Sequence, residues 1–193
     1  MKQRRGLLKN LVIVVVLLSG VAVADKANAS KLVLSGGAYS FSAENASNRV
    51  SATLSGLGSY QIAYRYPIKQ NIELDFGFSL LATDTFGGDL SFGFDVGANY
   101  FFMTSSGAIT SASADGNVIL NHRWRPFMGV SFNQRNFQST SSQYAGFGLK
   151  GGTEYQYDEQ FALHGTFRYL SLGGPNQAGA TQLDILGGII IQF

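Results

Sequence analysis

From Lys31 to Phe193 the hydrophobic and polar positions alternate with a period of two, and helical periodicity is hard to find. The pattern predicts eight strands, near 31–42, 49–66, 71–82, 88–103, 124–137, 143–157, 160–172 and 181–193. In the closing segment Leu183, Ile185, Gly187, Ile189, Ile191 and Phe193 share one face, while Gln182, Asp184, Leu186, Gly188, Ile190 and Gln192 share the other. Segment 71–82 sets Ile72, Leu74, Phe76, Phe78 and Leu80 against Glu73, Asp75, Gly77 and Ser79. Segment 88–103 sets Leu90, Phe92, Phe94, Val96, Ala98, Tyr100 and Phe102 against Ser91, Gly93, Asp95, Gly97 and Asn99. Segment 49–66 places Leu54, Gly56, Tyr60, Ile62, Tyr64 and Tyr66 opposite Ser55, Ser59, Gln61 and Arg65, interrupted by Leu57 and Ala63. The first segment is weaker, because Ser35, Gly36, Gly37 and Ser40 blur its faces.

Two architectures alternate in this way: a water-soluble sandwich, apolar within, and a membrane barrel, apolar outside. The polar faces are rich in Gly and Ser rather than Lys and Glu, as a narrow filled lumen requires. The apolar faces carry aromatic residues grouped at strand ends. If the strands run up and down, Tyr64, Tyr66, Tyr100, Phe102, Trp124, Phe127, Tyr155, Tyr157, Phe161 and Phe193 lie at one end, as an interfacial girdle does. Tyr39, Phe41, Phe86, Phe137 and Tyr144 sketch a second girdle at the other end. The expected fold class is all-β, an eight-stranded antiparallel up-and-down transmembrane β-barrel.

The N-terminus sets the compartment. Lys2, Arg4, Arg5 and Lys9 precede the apolar run Leu11–Leu18, and Ala27-Asn28-Ala29 offers a small-x-small cleavage site, with Ala22-Val23-Ala24 as a second candidate. The run is short of the ~20 residues that a spanning helix needs. Residues 1–29 therefore read as a signal peptide and 30–193 as the barrel domain. Of the 14 basic and 12 acidic residues, five and one precede Ser30, leaving 9 and 11 and a net charge of −2. The basic balance belongs mostly to the leader, and no basic cluster remains to suggest nucleic acid. The absence of cysteine excludes disulfides, thiolate metal sites and a cysteine nucleophile.

The inward faces carry Arg65, Arg135, Lys150 and Arg168 against Glu73, Asp75, Asp95, Glu154 and Asp184, with His164 beside them. Hairpin register sets Arg168 opposite Asp184, Glu154 near His164 and Arg65 near Glu73. Exposed cross-strand pairs contribute only ~0.2–1 kcal/mol each. In a confined lumen an unpaired charge costs several kcal/mol, so the charges are expected to pair as a plug. Eight strands leave an interior just filled by side chains. Two distant histidines and no cysteine offer no transition-metal site. Gly151-Gly152 and Gly187-Gly188 lie inside strands and mark curvature or close packing.

Asn99-Tyr100-Phe101-Phe102, Arg125-Pro126-Phe127-Met128-Gly129-Val130, Phe167-Arg168-Tyr169 and the closing strand resemble the small outer-membrane β-barrel domain family, the group holding the membrane domain of OmpA and the OmpX-like proteins. The resemblance runs from Lys31 to Phe193. It implies a monomer in the outer membrane of a Gram-negative bacterium, with both termini periplasmic and contacts to membrane lipid and lipopolysaccharide. It also implies biogenesis through the barrel-assembly machinery, with Phe193 as the terminal aromatic signal. A peptidoglycan-binding role does not carry over, since no further domain is expected after Phe193. The periplasmic turns are then 67–70 and 158–160. The outer loops fall at 43–48, 83–87, 138–142 and 173–180. Residues 104–123 form a long polar connection, also on the periplasmic side, where turns are usually short. Ile109–Ala114 and Asn117–Leu120 around Asp115-Gly116 would form a small hairpin; were both its sides in the wall, the barrel would have ten strands.

No cofactor and no enzymatic activity are expected; the role read is structural, or surface interaction through the loops. The alternative is a narrow pore or carrier for a small or apolar solute. A remoter one is lipid A acyl hydrolysis. Arg168-Tyr169-Leu170-Ser171-Leu172-Gly173-Gly174 loosely resembles the Arg-His-x-Ser-Asn-Gly-Gly stretch of lipid A deacylases. Tyr169 stands in place of their histidine and Leu172 in place of their asparagine, so Ser171 lacks a base to activate it. His122 belongs to the long connection and His164 points inward.

Overall fold

The computed structural model describes residues 30–44, 51–82, 90–103, 108–113, 116–121, 123–138, 141–158, 160–175 and 178–193. The expected signal peptide, His122 and Phe86 lie outside them. Eight strands form the wall: β1 (Lys31–Glu44), β2 (Ser51–Lys69), β3 (Ile72–Ala82), β4 (Leu90–Phe101), β7 (Trp124–Phe137), β8 (Ser142–Gln156), β9 (Phe161–Gly173) and β10 (Gly179–Gln192). They close in the order β1-β10-β9-β8-β7-β4-β3-β2. Every neighbouring pair is antiparallel, and the seam between first and last strands runs from Lys31↔Gln192 to Glu44↔Gly179. Closure leaves no unpaired edge, the condition for a sheet to stand in hydrocarbon. The strands run from 11 to 19 residues, against the roughly 9–11 that cross a bilayer when tilted.

β5 (Ala108–Ser113) and β6 (Gly116–Asn121) stay out of the wall and pair only with each other, from Ala108↔Asn121 to Ser113↔Gly116. The long connection is thus a hairpin, and the wall has eight strands rather than ten.

Alternation of burial follows the sequence pattern most closely in β9, where every second residue from Ala162 to Leu172 is buried. In β2 it does not, and the reason is a bulge. Gly37 of β1 pairs with Ser59, but Tyr39 pairs with Gly56, so β2 carries one residue more than β1. An odd insertion turns every later side chain to the opposite face. Leu54 and Gly56, expected beside Tyr60 on the outer face, therefore lie on the inner side opposite Phe41 and Tyr39, and Leu57 is left 82% exposed. Arg65 pairs with Asp75 rather than Glu73, because β2 runs on to Lys69 and the turn is the tight pair Gln70–Asn71 rather than 67–70. A second bulge, between Pro67 and Lys69, shifts the register by one residue more.

Five further aromatic expectations are corrected, at Tyr39, Phe41, Phe127, Phe137 and Tyr144. Tyr39, Phe41 and Phe137, read as an outer girdle, point inward. They form a buried cluster with Leu81, Leu170, Leu172 and Ala180 at the end away from the termini, with Leu54 and Tyr144 packed against it. Phe41 lies 4.7 Å from Phe137 and 5.3 Å from Tyr144 between ring centroids. Phe127 likewise lies inside, 2% exposed, on the parity of Gly129 rather than that of Trp124. A small apolar layer of Val33, Ala63, Ala162 and Ile190 lies toward the other end.

Candidate functional site

The chemistry of this chain is concentrated in the lumen. All ten sequence-predicted lumen residues, Arg65, Glu73, Asp75, Asp95, Arg135, Lys150, Glu154, His164, Arg168 and Asp184, are buried there. Lys31 and Arg125 join them, which sequence reasoning missed. Arg125 was legible from parity, four residues before Gly129 on the polar face of its segment. Lys31 was not, because the first segment's faces are blurred and its inward neighbour Val33 is apolar.

Near the terminal end, five charges from five strands meet. Lys31 Nζ lies 2.6 Å from Glu73 Oε1 and 3.2 Å from Glu154 Oε2. Arg65 Nη1 donates to Glu154 Oε1 at 2.5 Å. Arg125 donates to Glu154 Oε2 at 3.1 Å and to Glu73 Oε1 at 3.4 Å. Two rings are set against this group: Phe101, with Lys31 Nζ at 5.1 Å and Arg125 Cζ at 4.1 Å from its centroid, and Phe127, with Arg65 Cζ at 5.3 Å. The ring faces complement cations that cannot all be matched by two carboxylates.

One level further in, Asp75 accepts from Lys150 Nζ at 2.6 Å and from Asn99 Nδ2 at 3.3 Å, with Arg65 Nε at 3.5 Å. His164 sits opposite Glu154 in the ladder, as its register predicts. Its ring nitrogens are however engaged by hydroxyls, Nε2 by Ser35 Oγ at 3.0 Å and Nδ1 by Thr166 Oγ1 at 3.2 Å.

The upper group is built around two aspartates. Asp95 accepts from Arg135 Nη1 at 2.6 Å, Gln61 Nε2 at 3.0 Å, Arg168 Nη1 at 3.1 Å and from Ser79. Asp184 accepts from Arg168 Nε at 3.0 Å and Gln182 Nε2 at 2.9 Å, and Arg135 Nε donates to Gln182 Oε1 at 3.0 Å. Arg168 and Asp184 are also direct ladder partners, as the hairpin count predicts. Room for Arg135 is made by Gly93, where a Cβ would fall on the Gln134 carbonyl and lie 2.8 Å from Arg135 Nη1.

On the outer wall, Tyr66, Tyr100, Phe102, Trp124, Tyr157 and Phe193 are exposed at the terminal end, with Tyr64 and Tyr155 half-buried among them. Tyr100 packs edge-on to Phe102 at 5.6 Å, Trp124 lies 4.9 Å from Tyr155, and Tyr64 lies 6.4 Å from Phe193. Between this rim and the loop end the exposed wall is apolar, including Ile62, Phe76, Phe94, Val130, Phe147, Leu149, Phe167 and Ile185. Among the described residues, no group of three His, Asp or Glu side chains is placed to hold a metal ion.

No protein-family model and no curated protein sequence matches the chain. Solved structures do. Neisserial surface protein A has a TM-score of 0.59 at 17% identity, over 85% of this chain and 97% of that one. The outer membrane protein OprG of Pseudomonas aeruginosa has a TM-score of 0.51 at 10% identity, over 86% and 97%. The N-terminal β-barrel domain of Pseudomonas aeruginosa OprF has a TM-score of 0.50 at 13% identity, over 86% and 99%. The chain has the fold of the small outer-membrane β-barrels.

Proposed function

We propose that this chain is an integral, non-enzymatic protein of the bacterial outer membrane, with a lumen closed by its own side chains and a role in envelope structure or surface interaction. The observation that carries the reading is the cross-lumen wiring. Glu154 of β8 bonds to cations from β1, β2 and β7. Asp95 of β4 bonds to side chains from β2, β3, β7 and β9. These straps lie on the terminal side of the apolar cluster at the loop end, with the Phe101 and Phe127 rings packed against the cations of the Glu154 group. A solute crossing the barrel would have to break several buried ion pairs at once, each costly to leave half-made.

In this reading the terminal end faces the periplasm and the aromatic rim marks the membrane interface. The partners are membrane lipid, lipopolysaccharide and, during biogenesis, the barrel-assembly machinery, and the barrel is a monomer. Acyl hydrolysis is disfavoured by parity. Ser171 and Tyr169 face outward on β9, whereas His164 faces inward and is bonded to Ser35 and Thr166. Planar-bilayer recording tests the closed lumen. The purified barrel is expected to insert without steady single-channel steps; regular steps would establish the narrow-pore alternative instead.

A further inference from the structure

The outer wall carries a hollow of about 280 Å³ at the terminal end of β7–β9, lined by Trp124, Thr153, Tyr155, Leu163, His164 and Gly165. Its lining surface is almost wholly apolar, and its volume is just below the roughly 300–1,000 Å³ of ligand pockets. Register explains it. Thr153 pairs with Gly165, Gly165 with Gly187 and Gly187 with Gly36, so one diagonal of outward positions lacks large side chains. A Cβ at Gly165 would meet nothing within 4 Å. The row on the terminal side is bulky by contrast, with Leu163 paired to Tyr155 and Tyr155 to Trp124.

At the rim stands an exposed cation. Arg123 Nη1 donates to Tyr155 Oη at 3.3 Å, and its carbonyl accepts from Gln156 N at 2.7 Å, which anchors its backbone to β8. An apolar hollow edged by a guanidinium and a tyrosine hydroxyl is complementary to one kind of molecule in a bilayer, an anionic amphiphile with its phosphate at the interface.

We propose that this hollow binds a phospholipid of the adjoining leaflet. One acyl chain lies over Gly165 between Trp124 and Leu163, and the phosphate engages Arg123 and the Tyr155 hydroxyl. The proposal rests on the outer wall facing lipid, as argued above.

Native mass spectrometry of the detergent-purified barrel tests it, with phosphatidylglycerol and phosphatidylcholine as probes. Gly165→Leu fills the hollow, and a heat-modifiable band on a gel checks that each variant is folded. The wild type is expected to retain one phosphatidylglycerol more than Gly165→Leu. Arg123→Gln is expected to lower the preference for phosphatidylglycerol over phosphatidylcholine about fivefold, the worth of one basic side chain at an anionic surface. Equal retention by wild type and Gly165→Leu overturns the proposal. So does an unchanged preference in Arg123→Gln, or a dimer peak that Gly165→Leu abolishes in place of a lipid peak. Failure of the wild type to insert into liposomes would instead remove the membrane reading itself.

Discussion

At the scale of single residues, Glu154 has the most to lose. It is 1% exposed and bonded to Lys31, Arg65 and Arg125. Truncating one partner of a buried ionic group leaves the others desolvated and unmatched, at a cost of about 3–5 kcal/mol. Glu154→Ala is therefore expected to destabilise the barrel by about that amount in denaturant unfolding from lipid vesicles. A loss below 1 kcal/mol, the size of an exposed pair, would mean that the cluster is solvated. Gly93 makes a different claim, since its contacts are steric. With the Gln134 carbonyl where a Cβ would go, Gly93→Ala must push β4 away from β7 or displace Arg135 from Asp95. The expected outcome is loss of the heat-modifiable folded band, and wild-type yield would show that the wall yields there.

At the scale of strands, register decides how far a sequence can be read. A period of two locates eight strands to within a few residues because each keeps an apolar face outside the barrel and a polar or charged face inside it. Parity carries no mark of where an extra residue enters. In β2 the run Gly56-Leu57-Gly58 holds that residue, and the glycines, which tolerate the bulge, are the only trace of it. The faces on its loop side are consequently inverted, and Arg65 meets Asp75 because the turn is Gln70–Asn71 rather than 67–70. The inverted half has a direct check. In the purified protein, Thr53→Cys should react with a small maleimide faster than Leu54→Cys, because Thr53 is exposed and Leu54 packs on the inner apolar cluster. The opposite order would restore an unbulged β2. Tyr39, Phe41 and Phe137 misled for a related reason. Aromatic residues at a strand end suit a girdle or a lumen cap equally by composition, and only their neighbours across the barrel tell the two apart.

At the scale of the whole molecule, charges and closure belong to one design. The described lumen holds six basic side chains, Lys31, Arg65, Arg125, Arg135, Lys150 and Arg168, and five carboxylates, Glu73, Asp75, Asp95, Glu154 and Asp184. They come from all eight wall strands, so no partial barrel satisfies them, and pairing is complete only once β1 meets β10. That seam ends at the terminal rim, where Phe193 N donates to Ser30 O at 3.0 Å and the Phe193 ring lies against Tyr64. The ring is 56% exposed and adds little burial to the folded state. If Phe193 serves as a targeting signal, its removal should act on delivery rather than on stability. Deleting Phe193 is thus expected to lower the amount of folded barrel in cell membranes severalfold. The same variant, refolded from urea into detergent, should melt within a few degrees of the wild type, as a loss of under about 1 kcal/mol allows. A large drop in melting temperature would assign Phe193 to the seam instead, and normal insertion in cells would remove the signal altogether.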